Sequence, residues 1–150
     1  MRLLVLGGTR FVGRCVVLEA VRRGHRVTTL NRGSAPPAAT AVDARHADRA
    51  DPSALAEALG DDRWGAVVDT WSGAPVVVRD AARMLAGRVD HYGYVSSRSV
   101  YRWPIPSGVD ESAPVVDASP DSTDGGDYAA AKRGAELAAL EVFGESALLA

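Results

Sequence analysis

Several residue types are scarce in this sequence, and each scarcity removes a class of protein. The single cysteine, Cys15, cannot form a disulfide within the chain, and no thiol pair is available for a zinc framework. The three histidines, His25 in a turn, His46 in a polar loop and His91 at the start of a strand, lack metal-ligand spacing, so no metal is expected. No apolar run approaches the roughly 18 residues that a membrane span needs. Leu3 to Leu6 is apolar but stops at Gly7-Gly8, too short for a secretory signal. A cytoplasmic protein with no membrane partner is expected. A net charge of −2 and a pI near 5.9 supply no basic field, so no nucleic-acid partner is expected either. What is present, 150 residues at 47% hydrophobic, is enough for one domain with its own core.

Lysine is the most telling shortage. Sixteen of the seventeen cationic side chains are arginine, and the one lysine, Lys132, stands four positions after Tyr128. On a helix, residues i and i+4 lie on one face about 5–6 Å apart, so the phenol and the ammonium can share a site. A neighbouring cation draws the phenol pKa of about 10 toward neutrality, where the group serves as a general acid or base. A compact ammonium with three rotatable donors is not interchangeable with the planar arginine fork. Taken alone, the four-residue spacing also fits a surface pair on an alanine-rich helix.

Short apolar, β-branched runs alternate with helical patterns, the signature of βαβ units and a parallel sheet. The pattern predicts strands at Arg2–Leu6, Arg26–Asn31, Ala41–Arg45, Ala66–Thr70, His91–Ser96 and Ala147–Leu149. Helices are expected over Phe11–Arg23, Ser53–Leu59, Val76–Leu85 and Tyr128–Phe143, with Cys15 on the inner side of the first as a small core residue. Arg32 to Thr40, with Pro36-Pro37, is too short and proline-broken for a helix. Trp103 to Asp127, rich in Pro, Ser, Asp and Gly, is a long functional or disordered loop. It would lie along the carboxyl edge of the sheet, where open α/β sheets bind ligands.

The first strand runs into Gly7-Gly8-Thr9-Arg10-Phe11-Val12-Gly13 and then a helix, the context in which a dinucleotide-binding glycine turn carries meaning. Gly7 permits the tight turn, Gly13 lets helix and strand pack closely, and the amides at the helix start face a pyrophosphate. Thr9, Arg10, Phe11 and Val12 complete the candidate cofactor contacts. No Gly-Lys-Ser/Thr follows, which argues against a nucleoside-triphosphate loop. Past the second strand, where an acid would bind the ribose 2′-hydroxyl of NAD, the chain reads Asn31-Arg32-Gly33, with no acid between Glu19 and Asp43. Arg32 is the candidate for the 2′-phosphate, making NADP the preferred cofactor and NAD the other candidate; an exposed loop arginine is the competing reading. Asp48 and Arg49 either flank the adenine or belong to a solvated loop.

The glycine turn, the segment Val95-Ser96-Ser97-Arg98-Ser99-Val100-Tyr101 and Tyr128-x-x-x-Lys132 together resemble the extended short-chain dehydrogenase/reductase superfamily, most closely its NAD-dependent epimerase/dehydratase branch. The resemblance implies a Rossmann-type doubly wound parallel sheet of order 3-2-1-4-5-6. It also implies an NAD(P)-dependent epimerase, dehydratase or reductase acting on a hydroxyl- or carbonyl-bearing small molecule, a nucleotide sugar among the candidates. Ser97 would hold the substrate oxygen, Tyr128 would be the acid/base, and Lys132 would bind the nicotinamide ribose and lower the Tyr128 pKa. Ser96, beside Ser97, is the competing choice. Thr70 and Ser72, after the fourth strand, would line the nicotinamide side, with Trp71 between them read as packing. The sequence departs from the family in two ways. Arg10 stands where a second glycine is usual, as in atypical members, some of which are reductases and some of which bind ligands or RNA without known turnover, so a non-catalytic NAD(P)-binding sensor or RNA-associated member is the alternative. The chain also stops just after the sixth strand, so residues 1–150 are expected to be a truncated Rossmann domain lacking most of the C-terminal substrate-binding portion. A homodimer is a family-level expectation.

Overall fold

A run of four apolar residues, Leu3 to Leu6, needs cover on both sides, and β1 (Arg2–Leu6) receives it. Its side chains alternate between faces. Leu3 and Val5 join Val17, Ala20 and Val27 on one side, while Leu4 and Leu6 enter the larger cluster with Leu30, Leu55, Val67, Val78 and Tyr92 on the other. In the computed structural model, which describes residues 1–150, this strand is the centre of a six-stranded parallel sheet. The other strands are β2 (Arg26–Asn31), β3 (Val42–His46), β4 (Trp64–Asp69), β5 (Val89–Tyr94) and β6 (Ala147–Leu149), in the order β3-β2-β1-β4-β5-β6. This is the doubly wound Rossmann arrangement that the sequence predicts.

The helices are α1 (Phe11–Arg22), α2 (Pro52–Leu59), α3 (Pro75–Leu85) and α4 (Tyr128–Phe143). Each begins where local chemistry favours it. The Asp51 carboxylate accepts from the Ser53 and Ala54 amides with Pro52 in the first turn, and Asp127 caps α4 through the Ala130 amide. Helices α3 and α4 pack on each other. Gly134 makes this possible, since a Cβ there would meet Pro75 Cγ at 2.6 Å. On the α1 face beyond β4, His91 and Leu148 are exposed, Leu148 at 66%.

Four expectations need correction. β3 is shifted by one residue, which makes His46 its last residue. β4 and β5 each begin two residues earlier than the alternation suggests, because Trp64 and Val89 are buried at 3% and 8% exposure; His91 is therefore inside β5. They also end earlier, at Asp69 and Tyr94, so Thr70, Val95 and Ser96 lie beyond the strands. Cys15 is exposed. The inner stripe of α1 is Gly13, Val17 and Ala20, and at 3.6 residues per turn position 15 falls opposite it.

The long loop is ordered by main-chain bonds. Arg102 N donates to Pro114 O and Val116 N to Val100 O, both at 2.8 Å, and Val76 N donates to Ser122 O, which ties the loop to the start of α3. No helix is long and apolar enough to cross a membrane.

Asp62, between α2 and β4, accepts from Arg2 of β1 and Arg45 of β3, each at 2.6 Å, beside the Trp64 indole that both guanidiniums overlie. Hydrogen bonds from Arg45, then Arg2, hold its carboxyl down at about 2. A depressed folded pKa contributes stability above the unfolded value of about 3.9 that is lost as pH falls through the folded one. Urea unfolding should therefore show wild type more stable than Asp62→Asn at pH 6, with the difference gone near pH 2. A second prediction concerns Gly13, where an added Cβ would lie 2.8 Å from the Gly8 amide nitrogen. Main chain cannot step aside cheaply, so Gly13→Ala should cost about 1–3 kcal/mol in chemical denaturation.

Candidate active site

The carboxyl ends of β1, β2 and β4 open onto a cavity of about 360 Å³. Gly7, Thr9 and Arg10 line it from the first turn. Asn31, Arg32 and Ser34 line it from beyond β2, Arg49 from beyond β3, and Thr70, Trp71 and Ser72 from beyond β4. Three guanidiniums and no carboxylate face this space. Gly7 sits at φ +120°, and a Cβ on it would collide with the Thr70 hydroxyl, which itself donates to Leu6 O at 3.0 Å. Arg10 is the extended residue before α1, and no side chain caps the first amides of the helix, which leaves them free for an anion. Phe11 follows at φ +39° and is 88% exposed, a left-handed conformation that a bulky side chain adopts only under constraint. Val12 is exposed and Gly13 is packed against Gly8, so neither lines the cavity. Asp48 also lies outside the lining, exposed, with its carboxylate accepting from the Ala50 amide.

Beneath the cavity lies a polar cluster that sequence reasoning missed. Asp69, fully buried at the end of β4, accepts from both terminal nitrogens of Arg49 at 2.6 and 2.7 Å, from the Tyr92 hydroxyl at 2.6 Å and from the Trp71 amide at 2.9 Å. Arg49 is itself buried, with its guanidinium 5.2 Å from the Trp71 ring centroid and its Nε without a partner. It is thus neither a solvated loop residue nor a free cation. Burial works to discharge it, and the Asp69 charge and hydrogen bonds outweigh that, so its pKa is raised. Burial and then the Asp69 charge push the Tyr92 phenol well up, and burial with Asp69 and Glu136 does the same for Tyr94. Both tyrosines therefore stay protonated donors. One signal was legible: a charged residue closing the apolar run Ala66-Val67-Val68 must be paired or solvated.

Lys132 is nine-tenths buried or more, at 3% exposure. Its ammonium donates to Trp71 O at 2.8 Å and Val95 O at 2.7 Å and lies 4.7 Å from the Tyr94 ring centroid. It thus bridges the turns that leave β4 and β5. Burial lowers its pKa, opposed by the charges of Asp69 and Glu136. Tyr128, one helical turn earlier, is half-exposed at the start of α4. The two share a face as the i, i+4 spacing requires, but the hydrogen bonds of the ammonium go to main chain rather than to the phenol.

Ser97 precedes the short 3₁₀ turn Arg98–Val100, where its Oγ accepts from the Ser99 amide and donates to Ser99 Oγ, both at 3.2 Å. It lines a second cavity of about 550 Å³ with Tyr101, Arg133 and Glu136. Ser96 lines the same cavity but its hydroxyl is already engaged, donating to the buried Glu136 carboxylate at 2.5 Å, which Arg133 also reaches at 2.8 Å. Of the two neighbouring serines, Ser97 is the one whose hydroxyl is held only by another hydroxyl and an amide. No group of three or more His, Cys, Asp or Glu is placed to hold a metal ion.

The profile of the NAD dependent epimerase/dehydratase family matches residues 3–147. Among solved structures, the Bordetella bronchiseptica enzyme WbmG in complex with NAD superposes with a TM-score of 0.76 at 15% identity, over 95% of this chain and 50% of that one. The UDP-Glc/GlcNAc 4-epimerase of Campylobacter jejuni gives 0.78 at 16% identity, over 99% and 52%. Vestitone reductase from alfalfa gives 0.66 at 23%, over 99% and 55%. The chain spans about half the length of each, and at these identities the likeness is one of fold. No match was found among curated protein sequences. With the family profile running over almost all of its residues, the chain belongs to the NAD dependent epimerase/dehydratase family.

Proposed function

We propose that residues 1–150 are the dinucleotide-binding half of an NAD(P)-dependent epimerase, dehydratase or reductase, with Ser97, Tyr128 and Lys132 as its reacting groups. One observation carries the reading. Gly7, Thr9, Arg10, Arg32, Arg49, Thr70 and Ser72, each selected from the sequence alone, line a single cavity at the carboxyl edge of the sheet, where open α/β folds bind dinucleotides.

The residues fit the cofactor. Gly7 at φ +120° makes the tight turn and Gly13 lets α1 pack against Gly8, uncapped amides at the start of α1 face a pyrophosphate, and Arg10 adds a guanidinium at the same end. At the β2 end, Asn31 is turned inward, its Oδ1 accepting from the Gly33 amide at 2.8 Å, and Arg32 and Ser34 line the cavity where an acid would repel a phosphate. This arrangement supports NADP as the preferred form, although WbmG, one of the similar structures, is described with NAD. A bound nicotinamide dinucleotide supplies the acceptor or donor of hydride.

The chain's own groups do the rest. As phenolate, Tyr128 takes the proton from a substrate hydroxyl as hydride leaves its carbon, and as phenol it gives a proton to a carbonyl oxygen as hydride arrives. The Ser97 hydroxyl donates to that same oxygen and fixes its position. Lys132 has three donors, of which two are held by Trp71 O and Val95 O. The third is free for a ribose hydroxyl. A hydroxyl- or carbonyl-bearing small molecule, with nucleotide sugars the leading class, would enter from the Ser97 cavity.

Fluorescence titration with NADPH and NADH tests the cofactor reading. Micromolar NADPH binding should exceed NADH binding at least tenfold, and Arg32→Ala should erase the difference. Equal binding by wild type would remove Arg32 from the site, and binding of neither would remove the cofactor role. In a protein extended to the length of the similar structures, Tyr128→Phe should lower turnover by roughly 10²–10⁴-fold, the usual size of a general acid/base contribution. Full turnover by that variant would overturn the assigned chemistry.

A further inference from the structure

Lys132 is held by main chain, so its position is only as fixed as the turns that hold it. The Trp71 carbonyl that accepts its ammonium also accepts the Tyr94 hydroxyl at 3.0 Å. The amide of the same residue is pinned to Asp69 Oδ1 at 2.9 Å. Asp69 is in turn locked by the two-pronged bond from Arg49 and by Tyr92, and the Arg49 guanidinium lies over the Trp71 indole. Every polar contact of Trp71 therefore leads to Asp69, Lys132 or Tyr94, apart from the indole N–H donated to Ala74 O at 3.0 Å.

We propose that Arg49 and Asp69 act as positioning residues for Lys132, fixing through the main chain of Trp71 where its ammonium sits beneath the cofactor cavity. The inference deepens the reading of this site as a dinucleotide-dependent active site and rests on it. Stability alone is a poor reason for the pair. A buried ion pair seldom outperforms apolar residues of similar volume, and this one leaves Arg49 Nε unsatisfied. What apolar residues could not supply is a fixed carboxylate acceptor for an amide and a phenol together. Asp69 also places negative charge near Lys132 and opposes the discharge that burial favours. The groups that bear on this ammonium are Asp69 from β4, Glu136 from α4 and the Tyr94 ring from β5.

Because Lys132 is the only lysine, its reactivity can be read without interference. The chain carries just one other amine, the N-terminus, which peptide mapping separates. The experiment is competitive acetylation followed by mass spectrometry across pH 7–11. Asp69→Asn removes the opposing charge and loosens the turn, so the Lys132 labelling midpoint should fall by about one pH unit. Leu55→Ala, a core change outside the cluster, should leave the midpoint where it is, which separates positioning from general loosening. If Asp69→Asn fails to fold, Arg49→Met/Asp69→Asn removes both buried charges together. Its midpoint should fall in the same direction, since Asp69 and not Arg49 is the charge that bears on Lys132. A folded variant of either kind that labels at the wild-type midpoint overturns the proposal. NADPH added to wild type probes the underlying reading separately. If saturating NADPH does not slow Lys132 labelling, the ribose role fails while the Asp69 result stands.

Discussion

The buried carboxylate of Asp69 is the constraint on which the rest of the site depends. It closes the central strand β4 at the depth where apolar sheet gives way to ligand cavity, and it gathers a guanidinium, a phenol and a backbone amide around one pair of oxygens. Removing any one partner of a buried charge leaves an uncompensated group, at a cost of about 3–5 kcal/mol. The cluster therefore behaves as a unit. Its outer member, Arg49, lines the cavity, and the turn it stabilises reaches the ammonium of Lys132. The floor of the proposed cofactor cavity and the support of the candidate catalytic lysine are thus the same few atoms.

Much of the fold was legible because it rests on periodicity. The side-chain alternation of Leu3-Leu4-Val5-Leu6 assigns both faces of β1, whereas the strand order was implied by the family resemblance. Boundaries were less legible where a residue's cover comes from far away. Trp64 looks like part of an Arg-Trp-Gly turn, yet it is a strand residue because Arg2, Arg45 and Arg88 lie over its indole and Thr28 accepts from it. Cys15 failed for a different reason. One alternate phase of an amphipathic helix looks plausible when the apolar residues Val12, Val16, Val17 and Leu18 surround the axis, and the close approach of Gly13 decides which phase faces the sheet.

The candidate site divides the same way. Residues fixed by local chain geometry, such as the glycine turn and the Tyr128/Lys132 spacing, were readable from their neighbours in sequence. The Arg49–Asp69 pair was not, because its members lie 20 residues apart and only the pairing of β3 to β2, β2 to β1 and β1 to β4 brings their ends together. Each alone reads as an ordinary polar residue at a strand end. The interaction is a product of the topology, which is why composition and spacing could nominate Arg49 for the cavity but not say what holds it there.

The uneven cover of the sheet bears on the substrate half of the chemistry. The proposed cofactor cavity is lined from the ends of β1, β2, β3 and β4, with α1 packed on β1 and β2 on one face of the sheet and α2, α3 and α4 on the other. Ser97 and the second cavity belong instead to the β5 and β6 side, where the α1 face carries no helix and Leu148 stands exposed at the edge. A strand edge with free amides and carbonyls beside exposed apolar side chains is stable in water only when something pairs with or covers it. The similar structures are about twice as long as this chain. The Ser97 cavity, however, is lined by Arg133 and Glu136 of α4 and by Leu149 of β6, so it lies on the face that α4 covers rather than on the open one. The proposed cofactor cavity and the Ser97 cavity are thus built from different parts of the sheet, the first from the turns after β1, β2, β3 and β4 and the second from residues after β5, on α4 and at β6.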